Sequence, residues 1–143
     1  MSSWQDRFTQ KISKVKEASC GQFESMVTEC LEPTFEDVRN FTSKQGLTAA
    51  VPVARAGIRT YKFAMTENAY VLMTFRFAGF EHCEMQAEVY APGSDSTKLQ
   101  PEYVELLDFD VGWVRRMFEQ TLDAFVDAFV ESLDADRSEL VRA

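Results

Sequence analysis

The spacing of apolar residues changes twice along this chain, and these changes limit most strongly which folds it can adopt. From Trp4 to about Leu31, apolar residues recur every three or four positions, as in a helix with one buried face. From Leu47 to Tyr90 they recur at every second position, which is typical of strands with one buried face. The helical spacing returns after Asp110. We therefore predict a single α+β domain over residues 1–143, with a two-layer arrangement of helices on one face of an antiparallel sheet.

The N-terminal part predicts two helices. The first is long and amphipathic and covers residues 4–31. Pro33 is expected to end it, because proline lacks a backbone N–H and its ring clashes with the preceding turn. A short second helix is predicted over residues 35–45, and Gly46 stands where a C-terminal cap belongs.

The middle of the chain predicts a meander of four or five antiparallel strands. Pro52 cannot donate a hydrogen bond to a neighbouring strand, so the first strand is placed at a sheet edge. A loop is predicted over residues 91–101, and the fifth strand, over residues 103–109, has an ambiguous alternation. Matching apolar positions across the strands predicts three opposed pairs, namely Phe63 with Met73, Phe75 with Met85, and Arg76 with Glu84 on the outer face.

A long C-terminal helix is predicted to begin after Asp110, which caps it, and to reach Leu133. Its apolar arc is wider than a surface helix needs, so we expect it to touch more than one neighbour. The predicted interaction surface combines apolar flanks with a ladder of carboxylates: Met117, Ala124, Ala128, Val130, Glu119, Asp123, Asp127 and Glu131. This ladder is either a plain solvated face or a docking site for a basic partner, and a second copy offers Lys11, Lys14 and Lys16.

The charge distribution narrows the possible partners. The net charge of −8 argues against non-specific binding to nucleic acid or to an anionic membrane. The first 62 residues carry nine basic and seven acidic side chains, so nearly all the acidity lies in the second half. No apolar run is long enough for a membrane span and the N-terminus does not resemble a secretory signal, so we expect a cytoplasmic protein. Three cysteines indicate reduced thiols rather than a disulfide framework.

Sequence motifs for catalysis are absent, including the glycine-rich nucleotide loops, the zinc-protease helix motif and the hydrolase nucleophile turn. His82 is the only histidine, and on a strand it shares one face with Glu84. That pair could move a proton if both side chains lined a pocket, but a solvated outer face is the simpler interpretation. We therefore predict no catalytic residues, no cofactor and no metal site.

The aromatic content suggests a second kind of site. Twelve phenylalanines against nine leucines is an unusual ratio, and the rings fall on the predicted inner faces of strands and helices alike. Rigid rings either fill a core or leave an apolar cavity that a ligand can occupy. A pocket between the sheet and the last helix would be lined by Phe63, Phe75, Phe77, Met85, Phe118 and Phe125.

The overall profile resembles two architectures. A small acidic α+β chain with a long amphipathic C-terminal helix is similar to the dimeric secretion chaperones of bacteria, although a second helix before any strand departs from their order. Helices around antiparallel strands also resemble helix-grip ligand-binding domains, whose N-terminal strand this chain lacks. We therefore expect a non-enzymatic protein-interaction module, chaperone- or adaptor-like and dimeric. The alternative is a domain that binds a small apolar ligand.

Overall fold

A computed structural model describes residues 3–93 and 95–142, with side chains up to residue 133. In chain order the elements are α1 (Ser3–Met26), a π-helical turn (Val27–Leu31), α2 (Glu32–Lys44), β1 (Thr48–Arg55), β2 (Ile58–Thr66), β3 (Ala69–Ala78), β4 (His82–Tyr90), β5 (Thr97–Lys98), β6 (Glu102–Glu105), a 3-10 turn (Leu106–Asp108) and α3 (Val111–Arg142). The predicted combination of helices with an antiparallel sheet is confirmed.

The sheet has six strands among the described residues, rather than four or five. The strands β1 to β4 form the predicted meander, with β1 at an edge, and both β5 and β6 pair with β4. The prediction missed β5 because only two residues of the loop pair, too few to show an alternation. The strand β6 is shorter than predicted because the chain turns into a 3-10 helix at Leu106.

Two of the three predicted strand pairs are correct. Met85 lies opposite Phe75, and the outer-face pair of Arg76 with Glu84 forms an ion pair of 3.0 Å. The third prediction is wrong, because Val71 rather than Met73 lies opposite Phe63. The turn between β2 and β3 is tighter than expected, which moves the register by two residues. A shift of two keeps the same side chains on the buried face, so alternation alone cannot detect it.

Pro33 does not end a helix, and the two predicted N-terminal helices are joined without a break. The chain between them widens into the π turn, in which the N–H of Glu32 bonds to the carbonyl of Val27, five residues earlier. This change of hydrogen-bond register makes Pro33 one of the first residues of α2. Proline is tolerated there because the first N–H groups of a helix have no partner within it.

The core lies between the inner face of the sheet and the helices. The N–H of Trp113 donates to the Asp110 carboxylate at 2.8 Å, which confirms Asp110 as the cap of α3. One turn further, the fully buried ring of Phe118 is the centre of an aromatic cluster. Its centroid lies 5.7 to 6.2 Å from those of four other rings, Phe35, Tyr61, Phe63 and Phe75.

Burial makes one of the three thiols unreactive. Cys83 is fully buried on β4, and burial raises its pKa to about 12, so the thiol stays protonated at neutral pH. Since the thiolate is the nucleophile, we expect iodoacetamide to modify the half-buried Cys20 well before Cys83. Mass spectrometry of peptides from briefly alkylated protein measures this order. Equal rates for the two thiols in the folded protein would contradict this burial, and unfolding in urea should abolish the difference.

Candidate functional site

The N-terminal two-thirds of α1 lies outside the core. The first buried residue of this helix is Phe23, although the helix begins at Ser3. Four apolar side chains at helical spacing, which we name the α1 stripe, precede that point, and of these only Ile12 is half-buried: Trp4, Phe8, Ile12 and Val15. Trp4 is 63% exposed, and Phe8 and Val15 are about half exposed. Such a stripe is normally buried against another surface.

The α1 stripe is accompanied by basic side chains. Residues 3–19 contain Arg7, Lys11, Lys14 and Lys16, against two acidic residues. The ammonium of Lys16 lies 5.9 Å from the centre of the Phe80 ring in the turn after β3. This contact places the exposed part of α1 at the end of the sheet that holds the β3–β4 turn.

The predicted interaction surface on α3 is only partly at the surface of the chain. Met117 is buried, with 4% of its surface exposed, and therefore packs in the core. Ala124 and Ala128 are half-buried. Val130 of the predicted surface is exposed, and so are Val126 and Leu133, which the predicted surface did not include. They lie on the same helix as four exposed carboxylates, and we name these seven residues the α3 stripe, the carboxylates being Glu119, Asp123, Asp127 and Glu131.

The two stripes lie at opposite ends of the sheet. The hydroxyl of Ser132, beside the α3 stripe, donates to the carbonyl of Pro92 at 2.9 Å. Pro92 follows the end of β4, whereas Phe80 precedes its start. The α1 stripe and the last turns of the α3 stripe therefore extend in opposite directions from one chain.

The residues predicted to line an apolar pocket belong to one hydrophobic core cluster or pack against it. Phe63, Phe75, Met85, Phe118 and Phe125 are buried and Phe77 is half-buried. The rings of Phe63 and Phe75 both pack against the ring of Phe118. None of the three cavities characterised among the described residues lies between these rings and α3. The pocket itself stays a prediction.

A cleft between the N-terminal helix and the β1–β2 hairpin was not predicted from the sequence. Its volume is about 530 Å³, and we name it the π cleft because it lies beside the π turn. It is lined by Thr28, Glu32, Pro33, Phe35, Glu36, Val51, Ala54, Arg59 and Tyr61.

Both backbones that form the π cleft are irregular. The helix side contains the π turn, and the strand side contains a bulge in β1 between Ala50 and Val53. The bulge places Val51 and Pro52 opposite the single residue Tyr61. Both kinds of irregularity are frequent at functional sites. Pro33 and Pro52 each interrupt an otherwise regular apolar spacing and so mark the two irregular segments in the sequence. Nothing in the sequence indicates that these segments border one cleft.

Among the residues that line the π cleft, Tyr61 has an unusual hydroxyl. The side chain is 2% exposed, and among the described residues its hydroxyl has no hydrogen-bond partner. Burial, followed by the negative charge of Glu32, raises the pKa of this phenol far above its usual value. The hydroxyl therefore stays protonated and can donate or accept a hydrogen bond.

The cation beside Tyr61 is neutralised within the chain. The guanidinium of Arg59 donates to Glu24 on α1 at 2.6 Å, and the N–H of Gly57 donates to the same carboxylate at 3.0 Å. Gly57 has a positive φ of 83°, which glycine adopts without a steric penalty. Glu24 thus links the β1–β2 turn to α1, and its carboxylate neutralises the positive charge of Arg59.

Replacing Tyr61 by phenylalanine tests whether the hydroxyl lacks a partner. Removing a satisfied buried hydroxyl usually destabilises a protein, whereas removing an unsatisfied one relieves a desolvation cost. We expect the free energy of unfolding to rise by up to about 1 kcal/mol. Urea unfolding measures this change, and a loss of stability would show that the hydroxyl is already satisfied. The Phe35→Leu variant is the control, because it alters the same cluster without touching a polar atom.

The pair considered for proton transfer is not assembled. His82 is exposed on the outer face, and the buried carboxylate of Glu84 is occupied by Arg76. Across the described side chains there is no group of three or more His, Cys, Asp and Glu residues that could hold a metal ion. Within the described residues, no helix has the length and apolar character needed to cross a membrane. Comparisons with protein-family models, curated proteins and solved structures give no match to this chain.

Proposed function

We propose that this protein is a protein-interaction module that pairs with a second copy of itself, with the α1 stripe of each copy lying against the α3 stripe of the other. The observation that carries this proposal is the exposure of Trp4, Phe8 and Val15 on one face of a helix that extends away from the core. Large apolar side chains that form a contiguous exposed stripe are typical of interaction sites.

Charge complementarity favours a second copy as the occupant. The exposed part of α1 carries four basic side chains, and the α3 stripe carries four carboxylates at a spacing of four residues. Carboxylates at that spacing repel each other on an isolated helix, so nearby cations stabilise them. The basic helix of a second copy supplies both the cations and an apolar surface.

The positions of the stripes fit a symmetric pair. Because the two stripes extend from opposite ends of one chain, an antiparallel arrangement brings each α1 stripe beside the α3 stripe of the other copy. Two identical contacts then form together, as in the two-fold dimers that are most common among soluble oligomers.

The alternative function, binding of a small apolar ligand between the sheet and the C-terminal helix, has less support. It needs space among the inner-face rings, and the contacts around Phe118 describe a packed cluster. The exposed stripes would then have no role.

Charge reversal tests the proposed pairing. The Lys11→Glu/Lys14→Glu variant places acidic groups against the acidic α3 stripe, and the Asp123→Lys/Asp127→Lys variant places basic groups against α1. Each exposed pair contributes under about 1 kcal/mol, so we expect each variant to dimerise roughly tenfold more weakly at low salt. An equimolar mixture of the two variants should regain the affinity of the unmodified chain. Sedimentation velocity measures all three samples.

The control is Thr9→Glu/Ser13→Glu, which adds two acidic groups at exposed positions of α1 away from Lys11 and Lys14. This variant should dimerise like the unmodified chain. The proposal fails if charge reversal has no effect or if mixing restores nothing. It also fails if the unmodified chain is a monomer that instead binds vesicles containing anionic phosphatidylserine, since α1 would then be a membrane-binding helix.

A further inference from the structure

We propose that Glu24 is a positioning residue, which fixes the direction in which α1 leaves the core and thereby presents the α1 stripe to a second copy. The contact of Glu24 with Gly57 and Arg59, which we name the Glu24 clasp, carries this proposal. The effect of the clasp on association rests on the proposed function, whereas its effect on the direction of α1 can be measured in a single chain.

Few side-chain contacts hold α1 against the rest of the chain. Phe23 is its one buried residue, and the Phe23 ring lies 6.0 Å from those of Phe77 and Phe109. Every residue of α1 before Phe23 is exposed or half-buried. Further out, the ammonium of Lys16 lies over the exposed ring of Phe80, and such contacts are weak at exposed sites. Because a helix can pivot about one buried side chain, a second firm contact is needed to set its direction.

The π turn is the place where α1 can change direction relative to α2. In this turn the N–H of Glu32 bonds to the carbonyl of Val27, so the regular bonding of the helix is interrupted. Sharp bends of helices occur at such π turns and at prolines, and Pro33 follows directly. The continuity of the helix therefore does not by itself fix the direction of α1.

The Glu24 clasp holds the last turn of α1, just before the π turn. The guanidinium of Arg59 donates to both carboxylate oxygens of Glu24, at 2.6 and 3.4 Å, and the N–H of Gly57 donates to one of them at 3.0 Å. A bidentate contact of this kind fixes orientation as well as distance. The side chains of Arg59 and Glu24 are 14% and 30% exposed, so salt screens this pair less than a pair on the open surface.

The partners of Glu24 belong to the sheet. Arg59 is on β2, where it lies opposite Ala54 of β1 and Phe75 of β3. The helix also approaches the β1–β2 turn closely, since a Cβ added to Gly57 would lie 3.7 Å from the Sγ of Cys20. The clasp therefore joins α1 to a hydrogen-bonded strand, which gives the helix a fixed reference.

Glu24 and the α1 stripe lie on different sides of α1. A helix turns by about 100° per residue, so Glu24 is at least about 120° away from each of the four stripe residues. A second copy that covers the stripe thus approaches from another side of the helix. Glu24 therefore acts on association through the position of the helix, which distinguishes it from the residues of the stripe.

Residual dipolar couplings of backbone N–H groups measure the direction of α1 relative to the sheet. The full chain carries Phe8→Asp/Val15→Asp in this experiment, so that association does not contribute. We expect Glu24→Ala to change the couplings of residues 4–22 and to leave those of β2, β3 and β4 unchanged, because α1 then takes several directions. The unchanged strand couplings verify the fold.

Two further variants show whether the clasp is the cause. Glu17→Ala removes an exposed carboxylate from the same helix, away from the clasp, and should leave all couplings as they are. Glu24→Gln should cause a smaller change than Glu24→Ala, because the amide oxygen still accepts hydrogen bonds from Gly57 and Arg59.

Association measures the consequence for the stripe. A helix that takes the required direction for only part of the time binds more weakly in proportion to that part. In the chain without the two aspartates, we expect Glu24→Ala to raise the dissociation constant about tenfold and Glu17→Ala to change it less than about threefold. Sedimentation velocity measures both.

The proposal is overturned if the couplings of α1 are the same in Glu24→Ala and Glu17→Ala. It is also overturned if these couplings change while the dissociation constant of Glu24→Ala does not. A monomeric unmodified chain would instead contradict the proposed pairing, and with it the role of Glu24 in association. Changed couplings in Glu24→Ala would then still support the clasp as the contact that fixes the direction of α1.

Discussion

Replacing both Phe8 and Val15 by aspartate yields a folded monomer. Burying a large apolar side chain contributes roughly 1.5 to 3 kcal/mol, and an aspartate in the same place adds a desolvation cost. The dissociation constant should therefore rise at least about 100-fold. The fold should persist, since both side chains are about half exposed in the single chain and lie before the first buried residue of α1. Sedimentation velocity measures the association, and circular dichroism verifies the fold.

The matched control for this variant carries the same charge on the other face of the helix. Gln10→Asp/Ser13→Asp changes two exposed polar residues and should leave the dissociation constant within about threefold of the unmodified chain, since surface changes are usually worth less than about 0.5 kcal/mol. If the Phe8 and Val15 substitutions do not weaken association, the α1 stripe is not the contact surface. Equal weakening by both variants would indicate an effect of net charge alone.

Replacing Phe118 by alanine should have the largest effect on stability. Phe118 is fully buried, and its ring packs against four other rings that come from α2, β2 and β3. Truncating such a ring loses its transfer free energy and leaves a cavity, at a cost of about 3 to 5 kcal/mol. Much of the stability of a domain of this size would be lost. Urea unfolding at a fixed protein concentration measures the change, because dimer formation makes apparent stability depend on concentration.

Phe41→Ala is the control for this substitution. Phe41 is 64% exposed on α2, so the same chemical change there should cost less than about 0.5 kcal/mol. A loss below about 1 kcal/mol for Phe118→Ala would mean that the cluster does not pack tightly around this ring. The apolar-ligand alternative would then gain support, because the space that the ring occupies would be available to a ligand.

The inner face of the sheet could be predicted because its strands have one buried face and one face with polar side chains. Side chains such as Phe63, Phe75 and Met85 therefore alternate with polar ones, and all three are buried as predicted. The register between β2 and β3 was not predictable in the same way, since a shift of two residues preserves the alternation. The wide apolar arc of α3 predicted extra contacts, but spacing alone could not show that Met117 faces the core while Val126 faces outward.

The π cleft could not be predicted because it depends on three distant segments. Glu32 has an ordinary place in the first turn of a helix, Val51 in an edge strand and Tyr61 on a buried strand face. Only the three-dimensional structure shows that the π turn and the β1 bulge bring them to one cleft. The sequence predicts a helix end at Pro33 because proline usually stops a helix, whereas the π turn accommodates it.

The most direct test of the proposed self-association is the mass of the unmodified chain in solution. Light scattering after size-exclusion chromatography, over a range up to tens of micromolar, should give a mass that approaches twice the 16.3 kDa of one chain. A mass of one chain at every concentration would contradict the proposal that the α1 and α3 stripes of two copies cover each other.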